Sequence, residues 1–218
     1  MRKIASILTV LLFIPLVISS QTYYSGDHEL FLMPTAETMP KGSFYFADYE
    51  ILIINFTYAP TSSTHVGIYT IFPVVSNFLE TVTVSVKQRY LNTQSFRSAA
   101  WFTYSPKSNF FSVGNSISIG KQKTNFHLGI GALTLFNDTS DWELVYMAGV
   151  KFQASSRVSL LAEYTNFSSL IDDDYYGFAS IGVRIHWSKA ALDIGGFRPL
   201  EDSGDLIVFP IVKFTVFF

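Results

Sequence analysis

The chain has 218 residues, 49% of them hydrophobic and 17% aromatic, while only 15% are charged, against about 25% in ordinary soluble domains. It contains no cysteine, which excludes disulfides, thiol catalysis and a lipid-anchor cysteine. The net charge is −2 with no basic block anywhere, which argues against a nucleic-acid partner.

The first twenty residues read as a secretory signal. Arg2 and Lys3 form a charged head, Ile4 to Ile18 an apolar core, and Ser19 and Ser20 the small residues before cleavage at Gln21. The alternative, an uncleaved anchor, suffers from a short apolar run and no basic stop-transfer cluster after it. Beyond residue 20 no apolar run approaches the ~20 residues of a spanning helix. Without the signal, thirteen basic and seventeen acidic residues leave the exported chain at −4.

Residues 21–42 form an N-terminal arm. Pro34, Pro40 and Gly42 interrupt it, so no long regular element is expected. It either tucks into the mouth of the domain formed by residues 43–218, lies at its rim, or stays a loosely ordered terminus. From Ser43 onward, runs of alternating residues are separated by turn signals, and no helical period survives. In 81–90, Val82, Val84 and Val86 share one face, and Thr83, Ser85, Lys87 and Arg89 the other. In 142–153, Trp142, Leu144, Tyr146, Ala148, Val150 and Phe152 oppose Glu143, Gly149, Lys151 and Gln153. In 178–187, Ile181, Val183, Ile185 and Trp187 oppose Ser180, Gly182, Arg184 and His186. Alternation alone also fits two polar-faced sheets packed together in water.

The last stretch, Leu206 to Phe218, places Leu206, Val208, Pro210, Val212, Phe214, Val216 and Phe218 on one wholly apolar face. The chain then stops on an aromatic carboxyl terminus. This segment resembles the closing strand of a bacterial outer-membrane, porin-like β-barrel, with Phe214, Val216 and Phe218 matching the signal read by the barrel-assembly machinery. Val216 stands where an aromatic is more usual, and Lys213 where glycine is common. The resemblance implies Gram-negative outer-membrane localisation, outer-membrane lipids as surroundings, and a last strand ending in the periplasm.

With that orientation, the chain divides into about twelve strands: 43–50, 51–59, 65–72, 81–90, 96–105, 110–120, 125–136, 142–153, 157–166, 176–187, 190–198 and 205–218. The fold class is all-β: an antiparallel up-and-down transmembrane β-barrel over 43–218. Ten strands is the alternative, because Asp48-Tyr49-Glu50 is a poor turn between the first two. The outward faces then carry two aromatic bands. Phe72, Tyr104, Phe136, Trp142 and Tyr164 lie near the outer ends, and Tyr58, Tyr90, Phe126, Phe152, Trp187 and Phe218 near the inner ends. Aliphatic residues fill the belt between, as a bilayer selects.

The inward faces supply the candidate site residues: Lys87, Arg89, Glu143, Lys151, Glu163, Arg184, His186, Asp193 and Lys213. They suit the lining of a small-solute channel with a mild anion preference. They equally suit a ladder of ion pairs that fills a narrow barrel and holds it shut. Inward small residues (Ser112, Gly114, Ser116, Ser118, Gly120, Gly129, Gly131) either leave space along one wall or accept larger side chains from across the lumen.

No catalytic signature is present, and no enzyme activity, cofactor or metal is expected. The four histidines, His28, His65, His127 and His186, fall in the arm or near inner turns, and only Ser188 is seen to share a face with His186. Asp172-Asp173-Asp174 lacks the alternating spacing of a calcium loop and reads as a solvated loop tip. The leading functional expectation is a small-solute channel with a charged, partly plugged lumen. The alternative is a closed structural or adhesive barrel presenting its outer loops.

Overall fold

The computed structural model describes residues 25–50, 52–71, 81–121, 123–135, 142–166, 175–201 and 208–218. The signal segment and Asp172–Asp174 lie outside them. Twelve antiparallel strands close a barrel in sequence order, with the last pairing back onto the first. They are β1 (Phe44–Tyr49), β2 (Ile53–Thr61), β3 (Thr64–Ile71), β4 (Thr83–Asn92), β5 (Phe96–Ser105) and β6 (Phe110–Lys121). The circuit continues with β7 (Thr124–Leu135), β8 (Glu143–Gln153), β9 (Val158–Thr165), β10 (Tyr175–His186), β11 (Ala190–Glu201) and β12 (Phe209–Phe217).

The doubtful first hairpin decides between ten strands and twelve. Tyr49 pairs with Ile53, and Glu50 adopts the left-handed backbone (φ 57°) that non-glycine residues seldom take. The Glu50 N–H is held by the carbonyl of Val212 at 2.9 Å, so β12 stabilises a turn that local sequence disfavours. β1 and β2 are therefore separate strands.

Closure leaves no unpaired edge. It also fixes which face of each strand meets the interior, because a one-residue slip would reverse every side chain. Around the outside, exposed Val66, Ile68, Val84, Val113, Leu128, Ile130, Leu144, Leu160, Ile181 and Ile194 form an aliphatic belt. Phe44 stacks on Tyr58 at one end, with Phe126, Phe152, Trp187 and Phe218 at the same height. Phe111 meets Trp142 edge-on near the other end, and Tyr146 lies beside Tyr164. Phe46 and Phe56 depart from this segregation and sit at mid-height. Phe72 and Phe136 are outside the described residues. An apolar belt around the circumference far exceeds the roughly few hundred Å² that a soluble monomer leaves exposed.

A lumen filled by the N-terminal arm

Residues 25–39 run through the barrel's interior, and Pro40, Lys41 and Gly42 are exposed where the arm joins β1. Ser25 hydrogen-bonds through its hydroxyl to the Trp187 carbonyl (3.4 Å), at the end of the barrel where the chain terminates. The arm then folds back on itself. Glu29 bridges to Pro34, the Leu30 N–H donates to the Met33 carbonyl (2.9 Å), and Thr35 N–H to His28 (3.1 Å). The return limb leaves by the same end, where Met39 N–H donates to His65 Nε2 (2.7 Å) and Gly42 N–H to Ala59 (2.8 Å). The result is a hairpin inserted from the terminal end, with Leu30-Phe31-Leu32-Met33 at its tip.

A buried stretch of irregular chain must have its main-chain polar groups satisfied, and here the wall does it. The Glu163 carboxylate accepts three successive N–H groups: Phe31 at 3.0 Å, Leu32 at 3.0 Å and Met33 at 3.2 Å. Such a run of amides is an anion nest, occupied here by a carboxylate from β9. The tip's carbonyls face cations. Arg184 donates to Glu29 and Leu30 (both 3.0 Å) and to Gly26, while Lys213 donates to Phe31 (3.1 Å) and Leu30. Further down, Lys87 binds the carbonyls of His28 (2.7 Å) and Thr35 (3.2 Å). Ser116 donates to the Pro34 carbonyl (2.7 Å), and the Ser118 hydroxyl accepts the Ala36 N–H (3.0 Å).

The arm's own carboxylates complete the electrostatics. Asp27 pairs with Lys151 at 2.6 Å, Glu37 with Arg97 at 2.7 Å and with Arg89 at 4.0 Å, and Glu29 with Lys213 at 3.5 Å. Arg184 also grips Asp193 of the wall through two parallel hydrogen bonds, at 2.6 and 2.7 Å, and Lys213 adds a third contact to Asp193 at 3.1 Å. Among the described residues six cations face inward (Lys87, Arg89, Arg97, Lys151, Arg184 and Lys213), and every one touches the arm. Desolvated charges of this kind are tolerable only when so paired.

Apolar contacts seat the tip sterically. Phe31 is completely buried with its ring over Gly182 and Gly195, which are cross-strand partners. A Cβ on either glycine would come within 2.8 or 2.9 Å of the Phe31 ring. Leu30 occupies the space a side chain at Gly149 would need. Met33 joins Leu133, Val145, Met147, Leu161 and Ile211 in the same cluster.

Of the residues named from sequence, Lys87, Lys151, Glu163, Arg184, His186, Asp193 and Lys213 are buried inside the barrel; Arg89 and Glu143 are partly buried there. Arg97 was missed. Its face also carries Ala99 and Trp101, so no polar pattern marked it, although the outward placement of Tyr104 already implied that Arg97 points inward. The sequence expectation of five inward cations is thus corrected to six among the described residues. The small residues do not leave one wall empty. Ser116 and Ser118 bind the arm, and Gly114 and Gly131 lie under the ring of Trp101.

Two of the histidines have serine partners that the sequence did not indicate. His186 pairs with Ser159 (2.9 Å) and His127 with Ser118 (2.8 Å), both across neighbouring strands. In neither pair does a carboxylate orient the ring by hydrogen bond in the manner of a nucleophilic triad. His186 Nδ1 faces the Ser25 carbonyl at 3.2 Å, and Ser118 is occupied by the arm's amide, so both pairs serve the arm.

Beside the arm, from His65 and Lys87 to Phe110 and Val145 beyond its tip, the interior holds a cavity of about 380 Å³. Leu32, 45% exposed in contrast to its neighbours, forms part of the floor with Pro34, and Trp101, Leu133, Val145 and Met147 form part of the wall.

No family model matches the chain, and no curated protein matches it. Among solved structures, it is similar to OmpF of Salmonella typhi in complex with daunomycin, at 10% identity and a TM-score of 0.43. That likeness covers 76% of this chain and 61% of that one. A substituted Rh. blastica porin aligns at 11% identity and a TM-score of 0.42, over 76% of this chain and 55% of the porin. The chain thus spans little more than half the length of these porins.

Proposed function

We propose that the protein is an outer-membrane barrel that passes small solutes, anions preferentially, and that its N-terminal arm holds the passage closed at rest. One observation carries this reading: all six inward cations among the described residues contact the arm, and of them only Arg184 and Lys213 also pair with a wall carboxylate, Asp193. With the arm withdrawn, Lys87, Arg89, Arg97, Lys151, Arg184 and Lys213 would face, among the described residues, three wall carboxylates, Glu143, Glu163 and Asp193, giving a hydrated lumen with an excess of positive charge. The arm's Asp27, Glu29 and Glu37 remove that excess, so it acts as a tethered anionic occupant of its own pore. Largely polar docking favours reversibility, because each main-chain contact the arm gives up can be replaced by water.

The test is conductance in a planar bilayer. The intact chain is expected to be closed or to open only briefly, and a variant lacking residues 25–41 to conduct steadily with anion selectivity. Because the chain has no cysteine, Ser116→Cys provides a second readout: a small anionic thiol reagent should modify it only when the arm leaves. A folded arm-less barrel that never conducts would replace this reading with a closed scaffold. The outer-membrane assignment rests on the exposed aliphatic belt and on Phe214, Val216 and Phe218 as assembly signal. Phe218→Lys is expected to reduce recovery in the outer-membrane fraction severalfold.

A further inference from the structure

Most of the arm's main-chain groups meet partners whose role is fixed. Carbonyls accept from Arg184, Lys213 and Ser116, and amides donate to the Glu163 carboxylate and the Ser118 hydroxyl. At one place the acceptor is an imidazole: the Met39 N–H donates to His65 Nε2 at 2.7 Å. A main-chain N–H can only donate, so this contact dictates the state of the ring. Nε2 keeps its lone pair, and the ring's own proton sits on Nδ1. The contacts of the other wall histidines impose no such condition. His186 faces a serine hydroxyl and the Ser25 carbonyl, and His127 the Ser118 hydroxyl, all of which can accept.

The surroundings of His65 tighten the constraint. Met39 is completely buried and His65 only 4% exposed. A proton on Nε2 would therefore set two donors against each other away from solvent. Lys87 is the cross-strand partner of His65, and Lys87 and Arg89 both face it from β4. From the arm come His28, with ring centroids 6.0 Å apart, and Glu29; β2 carries no charged residue. Glu29 is already shared by His28 (3.2 Å) and Lys213 (3.5 Å), and Glu37 by Arg97 and Arg89. An imidazolium would join a group of cations whose carboxylates are taken. Met39 is also the last buried residue before exposed Pro40, and Thr38 beside it donates to the Ser62 carbonyl (2.7 Å). His65 thus holds the arm where it enters the barrel.

We propose that His65 is an acid-sensitive latch: a proton on its ring unseats the arm, and by the channel reading, on which this part rests, the passage then opens. The direction follows from linkage. With the arm seated only the neutral ring fits; with the arm withdrawn the hydrated ring takes a proton near the ordinary histidine pKa of about 6.5. Above that value the ring is neutral in both states and the latch holds at full strength. Below it the withdrawn state alone gains the proton, and the ratio of seated to withdrawn arm falls by up to about tenfold per pH unit.

The arm's position can be read without conductance. Ser116→Cys, beneath the Pro34 carbonyl of the seated arm, is placed in lipid nanodiscs and modified with sulfonatoethyl methanethiosulfonate. Its rate is divided by that of the same cysteine in a barrel lacking residues 25–41, which removes the pH dependence of the thiol itself. Between about pH 7.5 and 5.5, above the ordinary carboxylate range, this ratio is expected to rise about tenfold. His65→Gln offers an acceptor in place of Nε2 and takes no proton, so the rise should vanish in it. A flat ratio with His65 present, or a rise that His65→Gln leaves undiminished, overturns the proposal. If His65→Gln gives no heat-modifiable band, the natural ring keeps the test. With isotopically labelled methionine amides, the Met39 signal must then shift over the same pH interval, and an unshifted signal overturns the latch. An arm-less barrel that reacts fully but never conducts would defeat the channel reading and leave the latch on the arm in place.

Discussion

The docking site of the arm and the space left beside it are enclosed by the same twelve strands, yet they are made differently. The first is packed solid, with Arg97, Arg184 and Lys213 almost wholly buried and each engaged by several partners. The second leaves about 380 Å³ unfilled, beneath a mainly apolar lining. The difference teaches how a narrow barrel manages its interior. Where it buries charge it must supply a matching complement, and a single-layer wall cannot supply enough, so a second segment of chain enters to do so. Where the lining is apolar no such complement is demanded, and space can remain.

The contrast can be broken most sharply at Arg184. Arg184→Met leaves Asp193 with only Lys213 for a partner and takes one donor from each of three arm carbonyls, of which Leu30 keeps Lys213 and Gly26 keeps the Glu29 N–H. Removing one member of a buried pair of this kind costs about 3–5 kcal/mol. The barrel should lose heat-modifiable stability, measured as the temperature at which the folded gel band disappears. Phe31→Ala should come next, at about 3–4 kcal/mol, because the completely buried ring leaves a hole over Gly182 and Gly195. Much of that cost should fall on the docking of the arm, so Ser116→Cys in this background should react faster with the thiol reagent.

Glu163→Gln keeps the shape of the nest's occupant but removes its charge and half its acceptor capacity, at a cost of about 1–3 kcal/mol. More frequent channel openings at unchanged single-channel size would be its signature. Leu32→Ala should be the mildest, below about 1 kcal/mol, since its side chain borders open space and is already 45% exposed. A loss at Leu32 as large as that at Phe31 would show that the packed docking site and the space beside it are not distinct. Thermal stability of the two variants side by side decides it.

Much of the barrel was legible in the chain because a strand's side chains alternate with period two. Once Phe214 and Phe218 are outward, Lys213 is inward, and neighbouring registers are set in turn. The turns at Thr61–Thr64, Lys121–Thr124 and His186–Ala190 all fall where turn residues mark them. The β1–β2 turn was the weak point, since Glu50 owes its left-handed backbone partly to a contact from β12, more than 160 residues away.

The site was legible only in part. Parity identified Lys87, Lys151, Glu163, Arg184 and Asp193 as interior, but not what they bind. The arm has no period to read: Leu30-Phe31-Leu32-Met33 looks like a short apolar run, and its importance lies in main-chain atoms that every residue possesses. Glu163 recognises amides, and Lys87 and Lys213 recognise carbonyls, so no side-chain pattern in the arm announces them. The His127–Ser118 and His186–Ser159 pairs were hidden for a related reason, because cross-strand neighbours depend on register.

The sequence by itself therefore determined the wall: an all-β barrel, the division of its residues between outside and inside, and the concentration of charge within. Local alternation suffices for that, because each strand carries its own record of which face is apolar. Only the tertiary structure decided that the arm enters the lumen and leaves a cavity beside it. That outcome depends on hydrogen bonds between main-chain groups and wall side chains up to 182 residues apart, satisfied together only when the barrel is closed around the arm.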